Sequence, residues 1–415
     1  MTSQAIVHRC TFIPWAPHSI NSIAFDQVGR NYVAVARSDG DIELWNCVDA
    51  KWFLEGVITG SKDKPIRSVA WSQGRLFGAS LSGDIFEFDV LQLRVAHSCN
   101  SHGGAIWDLQ ASPADPSLLA AACEDGHVRI FKISDEGISF LRGCGGTKNG
   151  ERVLSVCWHG DGEVLFCGGA DSQIRCLAVQ SGRMLFAMTV ENYGQEPTLI
   201  WSIQVLSDFT VISGDSLGHV QIWDGGIGTL RQSFAMHGAD VLSVQVSEDE
   251  QHIYATGIDS KIVQFSCVDT TDSFGVGLPK KWVSTKSRRH HTHDVVSMTL
   301  AKNQNGDELI IAGGVDTQLS YILTKEFGDV KGRVHKFLPF RQAAVCCASA
   351  SKLVACTQHH TANIWAMGRP KSTEASDIAT LKDHTQLPLE LGHRHLFKIQ
   401  VATGTFPHCE DILCL

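Results

Sequence analysis

One arrangement recurs eight times along the 415 residues: a small turn, then alternating residues that end on an aromatic or bulky apolar side chain. The copies are SDGDIELW (to Trp45), LSGDIFEF (Phe88), EDGHVRIF (Phe131), ADSQIRCL (Leu177), SLGHVQIW (Trp223), IDSKIVQF (Phe265), VDTQLSYI (Ile322) and QHHTANIW (Trp365). The end residues are spaced by 43, 43, 46, 46, 42, 57 and 43 positions. A unit of that size cannot bury both of its faces alone, so the copies must stack on one another.

Each copy reads as strand chemistry. Asp39-Gly40, Ser82-Gly83 and Asp125-Gly126 supply the tight turn between two strands. The alternation after the turn buries every second residue. Upstream lies a small-residue strand (YVAVA, LLAAAC, VLFCGG, LIIAGG), expected to crowd a central channel. Further upstream lies another apolar strand (INSIAF, IRSVAW, IWDLQA, VLSVCW, IWSIQV, VLSVQV, VVSMTL). Four strands at this period are the WD40 spacing. The expected fold is all-β: a seven-bladed WD40 β-propeller over residues 6–330, followed by the beginning of a second, incomplete propeller over 331–415. Within 331–415, a single repeat is expected to about 368, followed by a polar linker and a strand-like tail.

An open ring would expose a sheet edge, so IVHRCTFI (Ile6 to Ile13) is expected to be the outer strand of blade seven. VHKFLPF (Val334 to Phe340) resembles VHRCTFIPW and is read as the outer strand that starts the second ring. Residues 368–390 are expected to pack poorly, and Trp365 to be less buried than Trp45 and Trp223.

Three histidines stand four residues before the first apolar residue of such a strand: His102, His237 and His291. In WD40 repeats this histidine bonds the turn aspartate, which pairs His102 with Asp125, His237 with Asp259 and His291 with Asp316. His290 is expected to point outward. The segment KWVSTKSRRHHTHDVVSM falls in the longest interval and concentrates positive charge in an otherwise acidic chain of net charge −9. Lys280, Lys281, Lys286, Arg288 and Arg289 are the candidate contacts for RNA or an acidic partner, expected on one exposed face and free of carboxylates of their own blade. The plainer reading is a strand edge protected by charge.

Apolar residues make up 43% of the chain, as a well-buried globular protein needs. The 14 cysteines include no C-x-x-C pair and read as buried thiols of a reducing compartment. Neither an N-terminal apolar signal nor a membrane-length apolar run is visible. P-loop, nucleophile-elbow and helical metal motifs are missing, so neither a catalytic residue nor a cofactor, metal ligand or small-molecule substrate is assigned. The functions left are an assembly scaffold, an RNA-contacting ring, or a substrate receptor of a ubiquitin ligase or histone-tail reader. Trp45-Asn46-Cys47-Val48 and Trp223-Asp224-Gly225-Gly226 lack the arginine typical of ligase receptors.

Several stretches resemble the cirhin family (U3 small nucleolar RNA-associated protein 4), WD40 subunits of the small-subunit processome. They include VHRCTFIPWAPHSINSIAF, AVARSDGDIELWN, CEDGHVRIFKI, SGDSLGHVQIWDGGIGTL and KKWVSTKSRRHHTHDVVSM. The resemblance implies a non-catalytic nucleolar scaffold that supports pre-rRNA transcription and processing and maturation of small-subunit rRNA. Its implied partners are other processome subunits and the 5′ external transcribed spacer of pre-ribosomal RNA, met directly or through the complex. The family carries two tandem propellers, and this chain ends early in the second.

Overall fold

The computed structural model describes residues 18–26, 28, 31–47, 52–147, 150–192, 194, 196–271, 277–303, 306–329, 332–337, 342–348, 353–358, 361–367 and 393–400. His18–Leu338 forms one compact unit, and the strands of 342–400 belong to another.

The first unit is built of seven four-stranded antiparallel sheets, each a simple meander, at residues 20–58, 66–100, 106–144, 153–189, 200–235, 241–289 and 295–337. These are the blades of a seven-bladed β-propeller. The first strand of each blade packs on the first strands of its two neighbours, and blade one meets blade seven, so the ring is closed. Those first strands line the central channel. This corrects the expectation for the small-residue strands, which are second in each blade and lie away from the channel. Strand Tyr32–Arg37 is buried along its whole length, as is Thr210–Asp215. Their small residues make room for the next blade. A Cβ on Gly214 would meet Val241 of blade six at 2.6 Å, and one on Gly313 of blade seven would meet Ile20 of blade one at 2.5 Å.

Every first strand carries an irregularity just after its opening apolar residue, as between Ile20 and Ser22 or between Ile200 and Ser202. One residue bulges out of the ladder, and in blades one to five and seven the side chain after it bonds the next blade. Ser22 Oγ accepts from the Val69 amide (3.1 Å), Ser68 Oγ from Leu109 (3.2 Å), Asp108 Oδ2 from Val156 (3.0 Å) and Ser202 Oγ from Val244 (3.0 Å). Ser297 Oγ accepts from Ile23 at 2.9 Å, which carries the same stitch across the join between blades seven and one.

The outer strand of blade seven is His335–Phe337, paired with Leu319–Tyr321. This corrects the expectation that residues 6–12 take that edge, and residues 6–12 lie outside the described residues. Aromatic stacking at the join is the physical reason. Phe337 lies 5.8 Å from Tyr321 of its own blade, and 5.1 and 5.6 Å from Trp45 and Trp52 of blade one. Trp52 stacks on Tyr321 at 4.3 Å. Arg37 adds a polar tie: its guanidinium grips Glu43 at 2.9–3.0 Å and also donates to the Thr317 carbonyl of blade seven at 2.8 Å.

In the second unit, Gln342–Ala348, Leu353–Gln358, Thr361–Met367 and His393–Gln400 form a four-stranded antiparallel sheet. The segment read as a tail, HLFKIQ, is thus the fourth strand of the sheet that holds Trp365. The burial of the Trp365 side chain and the packing of 368–390 lie outside the described residues.

Trp223 is 4% exposed, packs among Phe166, Ile203 and Val211, and donates its indole N–H to Ser213 Oγ at 3.0 Å. Trp223→Ala should destabilise the ring by ~3–5 kcal/mol, as large-to-small core changes do. Denaturant unfolding of parent and variant checks this.

Candidate interaction surfaces

The histidine pins differ from blade to blade. In blade six, buried His237 places Nδ1 2.9 Å from Asp259 Oδ1, and Lys261 Nζ stands 3.0 Å from Asp259 Oδ2. In blade seven, His291 Nδ1 lies 2.9 Å from Asp316 Oδ2 and Nε2 lies 2.7 Å from Ser320 Oγ. Val263 stands where blade seven has Ser320, and His237 Nε2 is left without a partner. Blade three departs from the expected pairing of His102 with Asp125. Arg129 takes Asp125 bidentately at 2.7–2.8 Å, while His102 is exposed on a left-handed backbone (φ 56°). The planar guanidinium four residues after the aspartate offers two parallel charge-assisted bonds and wins the carboxylate. Arg175 holds Asp171 in the same way in blade four.

His290 is half-buried against His291 (4.9 Å) rather than outward, and its Nδ1 is buried without a partner. Burial, then the neighbouring charges of His291, Lys336 and Arg288, hold its pKa down at about 3.

The basic run lies on Gly277–Arg289, the outer strand of blade six, paired with Lys261–Thr271. Its cations do not share one face. Lys281 is exposed and lines a cleft of about 870 Å³ toward blade five, together with Trp282, Arg231 and Glu250. Trp282 itself is 6% exposed, and its backbone is gripped by the Gln232 amide of blade five at 2.9 and 3.1 Å, so it is a packing residue. On the other flank, Lys286 runs against Gly328, and Arg288 donates to the Gly332 carbonyl at 2.6 Å. Arg289 donates to the Asp259 carbonyl at 2.6 Å. Arg288 and Arg289 are consecutive on the strand and so leave it on opposite faces, which is why the cations separate. The side chain of Lys280 lies outside the described residues.

The repeat reading passed over the channel. Its walls carry the bulged residues Asn21, Arg67, Trp107, Leu154, Trp201, Leu242 and Val296, one per blade. Set side by side, the seven first strands show this column to span the widest chemistry, with amide, guanidinium, indole and aliphatic side chains, and that was the available signal. On one wall Asp108 is held by Ser68 Oγ and the Leu109 and Val156 amides. Burial pushes its carboxyl up, and those bonds and Arg67 pull it down.

Acid should expose the pins. Burial acts to raise the pKa of Asp259, but the bond and charge of His237, with Lys261, outweigh it and hold the carboxyl at about 2, against an ordinary 3.8. A depressed folded-state pKa gives stability that is present above pH 3.8 and lost as pH falls through about 2. Asp259→Asn should therefore be less stable than the parent at neutral pH, and the gap should close between pH 3.8 and 2. Thermal melts of both proteins across that range check it.

Comparison with known proteins agrees with this architecture. Residues 93–132 match the WD domain, G-beta repeat model, and residues 115–204 match the anaphase-promoting complex subunit 4 WD40 domain model. Over 98% of its length the chain is 32% identical to the human U3 small nucleolar RNA-associated protein 4 homolog, covering 57% of that protein. It is also 32% identical to U3 small nucleolar RNA-associated protein 4 of Schizosaccharomyces pombe, over 88% of this chain and 52% of that one. The Saccharomyces cerevisiae protein gives 32%, 90% and 50% in turn. The chain thus spans about half the length of these curated relatives. The chain folds as a seven-bladed WD40 β-propeller and, over 88–98% of its own length, is similar to U3 small nucleolar RNA-associated protein 4 and its human homolog.

Proposed function

We propose that this protein is a non-catalytic scaffold of early small-subunit ribosome assembly, acting in the nucleolus within the processome. Its partners are other processome subunits and the 5′ external transcribed spacer of pre-ribosomal RNA. The observation that carries this reading is the 32% identity over 98% of the chain to a protein named for its association with U3 small nucleolar RNA. The ring geometry is compatible with it: seven packed blades present wide polar faces suited to holding several partners at once. Affinity purification of the full chain, with identification of the proteins and RNA that come with it, tests the reading. Processome subunits and spacer RNA are the expected yield, whereas recovery of a cullin complex instead would favour a ligase receptor.

Of the candidate contacts, Lys281, Lys286 and Arg289 are exposed and, among the described residues, bound to no carboxylate, which suits phosphate contact, while half-buried Arg288 donates to the Asp329 and Gly332 carbonyls. Neutralising Lys281, Lys286 and Arg289 should weaken binding of spacer RNA uniformly across sequences. The salt slope should flatten by roughly 0.7 per lost contact for single strands. Filter binding at several salt concentrations measures both, and an unchanged slope would assign RNA to other subunits.

A further inference from the structure

Two tryptophans stand in the variable column of the channel wall, and the protein treats them oppositely. Trp107 of blade three and Trp201 of blade five lean together across buried Leu154, with ring centroids 6.4 Å apart and planes tilted by 55°. They border a channel cavity of about 290 Å³. Both are half-buried, and each gives its indole N–H to a carboxylate, Trp107 to Glu124 and Trp201 to Asp240, the latter at 2.8 Å.

The difference lies in the residue that precedes the next first strand. Beside Trp107 that residue is Arg152, whose guanidinium sits 5.1 Å from the ring centroid and 4.0 Å from Glu124. A cation, an aromatic face and a carboxylate are therefore already assembled there. At the same repeat position beside Trp201 stands Asp240, and one blade further on stands Asp294. Among the described residues no cation lies over Trp201.

The other charges near this mouth do not fill the gap. Arg67 lies in the wall of blade two, where its guanidinium donates to the Asn21 carbonyl at 3.3 Å and is drawn electrostatically to Asp108. Fully buried Asp215 adds a further carboxylate in blade five, whose Oδ2 lacks a hydrogen-bond partner and has His219 Nδ1 3.6 Å away. Burial pushes the Asp215 carboxyl up, bonds and charge from His219 oppose this, and the charge of Asp240 adds to the rise. Beside the carboxylates runs an apolar shelf. Ile258 and Val315, 38% and 44% exposed, are hydrogen-bonded through their amides to the carbonyls of Asp240 and Asp294.

We propose that the channel mouth at Trp201 and Asp240 receives one basic side chain, an arginine or lysine presented by a segment of a partner protein. The cation stacks on Trp201 and pairs with Asp240, as Arg152 does with Trp107 and Glu124 within the chain. Apolar neighbours in the same segment rest on Ile258 and Val315. The paired carboxylates repel phosphate, so this mouth is a protein-binding site and separate from the basic outer strand.

The test uses the full chain labelled with 5-fluorotryptophan, with the Trp201 fluorine signal assigned through Trp201→Phe. The probe is a nonapeptide of glycine with three arginines, compared with the same peptide carrying uncharged citrulline and with oligouridylate. The arginine peptide should move the Trp201 signal, and both citrulline replacement and Asp240→Asn should weaken binding about ten-fold or more, equivalent to about 1.4 kcal/mol. Asp249→Asn, a remote exposed carboxylate, should stay within about two-fold, which separates the site from general attraction to an acidic protein. Asp240→Asn retains an acceptor for the Trp201 indole and should melt with the parent. If it melts early, the citrulline comparison on the parent chain decides alone. Equal affinity for arginine and citrulline peptides, unchanged binding by a stable Asp240→Asn, or a Trp201 signal moved by oligouridylate and not by the arginine peptide would overturn the proposal.

Discussion

The ring depends on what happens to the amides of its innermost strands. Each first strand is the edge of its own sheet and lies in a channel too narrow to solvate it freely. A buried amide without a partner costs on the order of 1–3 kcal/mol, so seven such edges would burden the fold heavily. The bulge after the opening apolar residue turns one side chain aside and lets the next, a serine in six blades and Asp108 in blade three, reach the neighbouring blade. Ser22, Ser68, Asp108 and Ser202 each satisfy the following blade's amide, and Ser297 does so across the join to Ile23. In blade four the direction reverses, with Ser155 Oγ donating to the Ile200 carbonyl at 3.0 Å. Blade-to-blade order is thereby written in hydrogen bonds as well as in apolar packing. The closing contact between Gly313 and Ile20 has the same form as that between Gly214 and Val241.

The same bulge separates structure from recognition. The stitching residue is nearly constant because it bonds the next blade's first strand, as acceptor in blades one, two, three, five and seven and as donor in blade four. The bulged residue before it has no such task, and it varies from Asn21 through Arg67 to Trp107 and Trp201. Variation along an otherwise regular repeat therefore marks the side chains released to the channel. It places two indoles and a guanidinium on a wall whose other bulged residues are Asn21, Leu154, Leu242 and Val296.

Much of this was legible from spacing alone, because intervals of 42–46 residues in six cases of seven, with one turn and one terminal aromatic or bulky apolar residue per unit, leave few architectures open. The terminal aromatics Trp45 and Trp223 are buried as anchors should be. What spacing could not report was competition between contacts. Val7 to Trp15 and Val334 to Phe340 look alike, and only Phe337 shows why the later segment takes the edge: its ring stacks with Tyr321 of its own blade and Trp52 of blade one, and packs at a tilt against Trp45, at the far end of the ring's sequence. His102 obeys the positional rule that places His237 and His291, yet Arg129 competes for Asp125 from four residues beyond it. That rival is visible in EDGHVR, and again as Arg175 in ADSQIR, once side-chain geometry is weighed together with position. The basic strand misled for a different reason: consecutive cations such as Arg288 and Arg289 leave a strand on opposite faces.

The reactive groups of the ring are held in states that suit recognition rather than chemistry. Burial pushes the thiols of Cys157 and Cys167 up to about 12 and those of Cys144 and Cys176 to about 11, so none offers a thiolate near neutral pH. Asp108 spends its oxygens on three donors, Asp259 and Asp316 spend theirs on histidine pins, and Asp125 and Asp171 spend theirs on arginines. A carboxylate committed to such bonds gains geometric precision and loses freedom to shuttle protons. Among the described residues, Lys281, Lys286, Arg288 and Arg289 of the outer strand of blade six are bound to no carboxylate, and Asp240, which accepts the Trp201 indole N–H, is paired with no cation. On the scaffold reading proposed above, the ring acts through where it holds its partners, and the blade-to-blade stitching keeps the outer strand of blade six and the Trp201 wall at a fixed distance and orientation.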